Sequence, residues 1–145
     1  MPLDLTFNII FMPDTVPFLC TGVRSLLQNS PYRYRLVSNA LQEPELSQLK
    51  VFAETDPRLE FYAYPTRLPV DHGTILTLLF HQQSDPYFCF ADSDIFARRP
   101  FDGWLEDQMR ELDALSSCSA LFWEDMERVP GFRAGVRTHQ PGPNC

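Results

Sequence analysis

Four short apolar runs, each closed by a proline, an asparagine or an acidic turn and separated from the next by a helix-forming stretch, constrain this chain more than any other feature. The first, Leu5 to Met12, is bounded by Pro13-Asp14, and its length and its Phe and Ile content suit a buried strand. Thr15-Val16-Pro17 opens a helix, since proline is tolerated in a first turn. Phe18, Gly22, Leu26 and Leu27 follow at near-helical spacing, and Asn29-Ser30-Pro31 ends the element. Tyr34 to Ser38 reads as a second strand stopped by Asn39, and Pro44 to Ala53 as a second helix broken by Asp56-Pro57. Leu59 to Tyr64 reads as a third strand closed by Pro65. A loop from Thr66 to Val70 and Asp71-His72-Gly73 lead to a third predicted helix, Thr74 to Gln83. Ser84-Asp85-Pro86 then turns the chain into a fourth strand, Tyr87 to Ala91, which runs into Asp92-Ser93-Asp94.

Strands and helices alternating at this spacing predict an α/β domain, a mostly parallel sheet with helices on both faces. In such sheets ligands bind beyond the carboxyl ends of the strands, near a change in strand order. Pro13-Asp14, Ser38-Asn39, Pro65 and Asp92-Ser93-Asp94 all follow strands, so they converge on that edge. Beyond it, Trp104 to Leu115 is predicted helical and Ala120 to Trp123 a further short strand. Gly, Pro and Arg dominate from Pro130 onward, which predicts one domain over 1–129 and an irregular tail over 130–145.

Charge narrows the ligands. The formal balance is −7, with 19 acidic against 12 basic side chains. A surface of that sign repels a phosphodiester backbone, so nucleic-acid binding is disfavoured. It repels a nucleotide diphosphate equally, and an anionic ligand therefore needs a local counter-charge: a metal ion, an arginine or helix amides. Cys20, Cys89, Cys118 and Cys145 form no C-x-x-C pair and read as free thiols in a reducing compartment. No apolar run approaches the ~20 residues of a membrane span, and no basic leader precedes Asp4. A cytosolic protein is expected.

Asp92 and Asp94 are the strongest chemical candidates. Side chains two apart on an extended strand share a side, so both carboxylates are expected to reach one ion. Mg2+ and Mn2+ take hard oxygen ligands, commonly one or two carboxylates plus substrate phosphates. A solvated acidic turn is the plainer alternative. The stretch from Asp71-His72-Gly73 through a helix to Phe88-Cys89-Phe90-Ala91-Asp92-Ser93-Asp94-Ile95-Phe96 resembles the core of nucleotide-diphospho-sugar transferases, the GT-A type of glycosyltransferase. The first strand ending at Pro13-Asp14 and the helix from Phe18 to Gln28 are similar to that family's start, and the likeness in element order covers roughly residues 5–101.

The resemblance implies a Rossmann-like fold and sugar transfer from a nucleotide-diphosphate donor, a UDP-sugar above all, to a glycan, protein or lipid acceptor. It implies Asp94 as main metal ligand and Asp92 on the ribose or on the metal through water. It also implies Pro13 and Asp14 near the base with Asn39 beside them, and backbone N–H groups of His72 and Gly73 toward the diphosphate. The chain departs from the family at Thr77-Leu78-Leu79, where many relatives carry a basic or amide residue, and in having 51 residues after Asp94. Glu124 or Asp125 as a base and His139 as a ligand compete with ordinary surface roles. A truncated or non-catalytic nucleotide-sugar-binding module is therefore the alternative. Asp71-His72 reads either as a base with its orienting carboxylate or as a helix cap beside an exposed histidine. Arg98-Arg99 reads either as a diphosphate contact or as an exposed turn. A phosphohydrolase of the haloacid dehalogenase type also uses D-x-D, but there the motif ends the first strand.

Overall fold

A computed structural model describes residues 3–85 and 87–115. The chain divides into two units, Met1–Phe101 and Asp102–Cys145. The expected strand at Ala120 to Trp123 and the tail over 130–145 lie outside the described residues, as do Glu124, Asp125, His139, Cys118 and Cys145.

The first unit is α/β and Rossmann-like, as the alternation predicts. Its elements are β1 (Thr6–Phe11), α1 (Val16–Asn29), β2 (Arg33–Ser38), α2 (Glu45–Ala53), β3 (Leu59–Ala63), α3 (His72–Gln82) and β4 (Cys89–Ala91). All three strand pairings are parallel, in the order β3-β2-β1-β4. β1 is interior and buried over Phe7–Phe11, which is why its sequence is a continuous apolar run with no polar alternation beyond Asn8.

Each face has its own packing. Phe7 stacks on Tyr34 at 5.8 Å between ring centroids and meets Tyr32 tilted at 5.7 Å, and Tyr32 meets Phe101 at 6.0 Å. Arg24 of α1 lies over Phe52 of α2, and Lys50 of α2 over Phe61 of β3. On the opposite face Ile75 and Leu79 of α3 pack on Ile10 and Val37, which pair in register, with Tyr62, Tyr64, Val70, Leu76 and Phe88 around them. Burying each such aliphatic chain contributes about 1.5–3 kcal/mol.

One expectation needs correction. β4 is three residues long rather than five and is not buried: Phe90 is 43% exposed. Like β3 it is an outer strand among the described ones, paired through β1 alone, so one flank lacks a neighbour to exclude water. The third helix begins two residues earlier than predicted, at His72. In the second unit the described element is α4, Asp102–Leu115, where Arg110 pairs with Glu106 at 3.1 Å and with Asp107 at 2.7 Å.

Candidate functional site

The sheet runs from β1 outward to β2 and β3, and then α3 returns the chain to place β4 on the other side of β1. The strand order reverses between β1 and β4. Loops leaving neighbouring parallel strands in opposite directions open a crevice at their carboxyl ends. The two loops that border it are Met12–Thr15 and Asp92–Ile95, so the structure brings Pro13-Asp14 and Asp92-Ser93-Asp94 to one crevice.

The loop after β1 holds an uncommon backbone. Asp14 has φ 68°, a left-handed conformation that asparagine and aspartate tolerate better than most residues. Thr15 Oγ1 donates to the Met12 carbonyl at 2.6 Å and closes the turn. Thr15 is the N-cap of α1, yet its side chain makes no capping bond. The cap comes from another element: Glu45, first residue of α2, accepts from the Asp14 N–H through Oε2 at 2.6 Å and from the Val16 N–H through Oε1 at 2.9 Å.

Asn39, at the end of β2, is fully buried at 0% exposure. Its Oδ1 accepts from the Val70 N–H at 3.1 Å, and its Nδ2 donates to the Val70 carbonyl at 2.8 Å and to the Met12 sulfur at 3.0 Å. That amide ties the loop before α3 to the carboxyl ends of β1 and β2, so a base beside Asn39 would meet it only by displacing these bonds. The next residue, Ala40, also has positive φ, 59°. Both left-handed non-glycine residues thus follow strands at this edge, each at a cost of about 1–2 kcal/mol for an ordinary side chain.

Asp92 and Asp94 follow β4 as expected, but not on an extended strand. Ser93 and Asp94 form a turn, with the Ile95 N–H donating to the Asp92 carbonyl at 3.3 Å, so strand periodicity does not set the two side chains. Both are exposed. Among the described residues no group of three or more His, Cys, Asp or Glu side chains gathers to hold a metal. The two carboxylates supply hard oxygens suited to Mg2+ or Mn2+ in the mode where phosphates and water complete the shell.

A seam on α1 fixes that turn, and no local pattern in the chain signals it. A Cβ on Gly22 would sit 2.7 Å from the Ile95 carbonyl oxygen and 3.4 Å from that of Ser93. Ser25 Oγ accepts from the Ala97 N–H at 2.9 Å, Asn29 Nδ2 donates to the Ala97 carbonyl at 3.2 Å, and the Phe101 N–H donates to the Asn29 carbonyl at 3.2 Å. Residues 22, 25 and 29 lie three and four apart, on one helix face. The acidic turn is therefore seated by backbone contact.

His72 and Gly73 open α3 and are exposed. Asp71 is the N-cap, accepting from the Thr74 N–H at 2.8 Å, and the Thr74 hydroxyl bonds its other oxygen. Those bonds hold the Asp71 carboxyl below the usual range. The capping role of Asp71 is thus the one the structure displays. α2 follows suit, with Glu43 accepting from the Ser47 N–H at 3.2 Å. Each of α1, α2 and α3 therefore carries a protein carboxylate at its N-terminus, on the edge where an anionic ligand would come.

Other features lie elsewhere. A cavity of 280 Å³ is lined by Thr6, Arg33, Arg35, Arg58 and Glu60 among others, at the amino ends of β1 to β3 and away from the crevice. Its arginines are matched: Arg33 with Asp4 at 2.8 Å, Arg35 with Glu60 at 3.1 Å, and Arg58 with Asp56 at 2.9 Å. Arg58 also donates to the Leu27 and Ser30 carbonyls at 3.1 and 2.8 Å, capping the carboxyl end of α1. Cations so engaged leave little for a ligand, and the crevice carries the better chemistry. Burial raises the Cys20 thiol and pushes Cys89 up to about 11, with Asp85 adding to the latter; both behave as packing thiols.

No protein-family model matches the chain, and a search of curated proteins finds no match. What this edge can do follows from its own groups: two exposed carboxylates on a turn seated against α1, after the strand next to β1, and a left-handed loop after β1 held by Glu45.

Proposed function

We propose that the crevice binds a nucleotide-diphosphate sugar, a UDP-sugar in the first instance, through a Mn2+ or Mg2+ ion on Asp92 and Asp94, and that the sugar is transferred to a glycan, protein or lipid acceptor. The observation that carries this reading is the filling of the helix N-termini. In the dinucleotide-binding mode of doubly wound sheets the pyrophosphate sits on the amides that open the first helix. Here Glu45 holds those amides, and Glu43 and Asp71 hold their counterparts. With a net charge of −7, a diphosphate at this edge needs a cation between it and the protein, and the two carboxylates after β4 supply its seat. Bound there, the metal would act as a Lewis acid for the departing diphosphate. Asp94 is assigned as a direct ligand, Asp92 to the metal or ribose, and Pro13 and Asp14 to the nucleoside. His72 and Gly73 open α3 at the same edge, and their N–H groups precede the one that Asp71 caps. The unpaired thiols of Cys20 and Cys89 suit a reducing, cytoplasmic setting. No described helix is long and apolar enough to cross a membrane.

Calorimetry with UDP-sugars tests the reading. Binding is expected with manganese and not without it. Negligible heat in both conditions, from a folded sample, would overturn it. Manganese-dependent binding with no transfer or release of sugar would assign a binding module rather than an enzyme.

A further inference from the structure

We infer that Glu45 is a positioning residue for the nucleoside. It shapes the loop that carries Pro13 and Asp14 and so sets the affinity for the nucleoside part of the ligand independently of the diphosphate part. This rests on the nucleotide reading of the crevice.

Three observations lead to it. The loop after β1 is in a conformation it would not choose alone, with Asp14 at φ 68° and a helix cap, Thr15, whose side chain caps nothing. Both oxygens of one carboxylate hold it, on the N–H groups of Asp14 and Val16, two residues apart. That carboxylate arrives from 31 and 29 residues further on, at the start of α2, so the loops after β1 and β2 are joined as one piece. A bidentate carboxylate on two backbone amides is a charge-assisted pair, stronger than neutral bonds. An aspartate would be a methylene short of this reach, and a glutamine has one acceptor oxygen for two donors.

The consequence is a division of labour. The turn bearing Asp92 and Asp94 is seated on α1 by Gly22, Ser25 and Asn29, which lie beyond the first turn of α1 that Glu45 caps at Val16. Releasing the clamp therefore lowers the population of the binding-competent loop, and apparent affinity falls by the same fraction, while the metal seat stays as it was. A carboxylate needed only for folding would not separate the two halves of the ligand.

The experiment measures, by calorimetry in manganese, the binding of UDP and of inorganic pyrophosphate to the wild type, Glu45→Ala and Glu45→Gln. Glu45→Ala is expected to raise the Kd for UDP about tenfold, Glu45→Gln about threefold, and neither to move the Kd for pyrophosphate by more than about twofold. Equal weakening of both ligands, or no weakening of UDP, overturns the inference while leaving the crevice assigned. A wild type that binds neither ligand removes the crevice reading and the inference with it. Should Glu45→Ala not fold, Glu45→Gln keeps one bond and carries the same comparison.

Discussion

Replacing Gly22 with alanine sets two effects of opposite sign against each other. In an open helix the change is favourable, because glycine in a helix interior is about 1 kcal/mol worse than alanine. At Gly22 the new methyl carbon would sit 2.7 Å from the Ile95 carbonyl oxygen, with the Ser93 carbonyl oxygen 3.4 Å away. Ordinary contact requires the Ile95 carbonyl to withdraw by roughly half an ångström or more. The obstacle is backbone, held in place by the bonds from Ser25 and Asn29 to Ala97, so no flexible side chain can give way. Overpacking of this kind costs about 1–3 kcal/mol. The clash wins, and the net loss is about 1 kcal/mol, or roughly 4–8 °C in the midpoint of a unit this size.

Gly103, in the first turn of α4, supplies the control, since a Cβ there meets nothing within 4 Å. Gly103→Ala should leave the stability unchanged or raise it by up to about 1 kcal/mol. The assay is thermal unfolding of both variants beside the wild type, with amide hydrogen exchange at Ile95 and Ala97 as the local readout. Gly22→Ala should speed exchange at those two amides and weaken manganese-dependent UDP binding. A Gly22→Ala protein stabilised like Gly103→Ala, with exchange at Ile95 and Ala97 unchanged, would refute the claim that α1 seats the acidic turn by close approach.

Asn39→Ala removes the side-chain partner of the part-buried Val70 N–H and carbonyl; a loss of about 1–3 kcal/mol is expected in urea titration, and a change under about 0.5 kcal/mol would show the clamp to be idle. Asp94→Asn should abolish manganese-dependent UDP binding while the melting midpoint moves by no more than about 2–4 °C, because the side chain is exposed and surface changes rarely exceed about 0.5 kcal/mol; undiminished binding would remove Asp94 from the metal. Asp56 is held below its usual carboxyl range by its side-chain and backbone bonds from Arg58. A depressed carboxyl contributes stability that is fully present above its unfolded pKa of about 3.9 and is lost as pH falls through the lower folded value. The urea midpoints of wild type and Asp56→Asn should therefore differ near neutral pH and converge below about pH 4, and a gap that is constant down to about pH 2.5 would contradict the linkage.

What could be read from the chain divides along a physical line. Periodicity reports which faces are dry, and punctuation reports where the backbone must turn. Leu5 to Met12 stood out because a buried parallel strand is apolar on both sides, Tyr34 to Ser38 and Leu59 to Tyr64 because turn residues bound short, largely apolar runs, and parallelism alone sends Pro13, Asn39 and Asp92 to one edge. Asp71 was legible as a cap because its partner, Thr74, is three residues away. The same signals misled at Tyr87 to Ala91: an apolar run looks alike whether water is excluded from both flanks or from one, and Phe90 proves half open. Contacts across long separations left no mark. Nothing in Glu45 announces that its carboxylate belongs to a loop 31 residues earlier. Gly22 looks like a weak helix position until Ile95 is placed against it.

The three filled helix N-termini bear on which ligands the edge can accept. An edge with free helix amides attracts any phosphate, through the partial positive charge at each terminus. Where Glu43, Glu45 and Asp71 already sit on those amides, the same dipoles are offset by permanent anions, and a bare phosphate approaching Asp92 and Asp94 meets like charge from both carboxylates. A divalent cation reverses this at one point, between the two carboxylates after β4, and leaves the rest of the edge repulsive. Discrimination then falls to a ligand that brings both a metal-binding diphosphate and an uncharged nucleoside able to rest on the loop after β1. Inorganic phosphate offers the first half weakly and the second not at all. If the proposed reading holds, the acids that make the edge look hostile to a nucleotide would restrict it to one carried in on a metal.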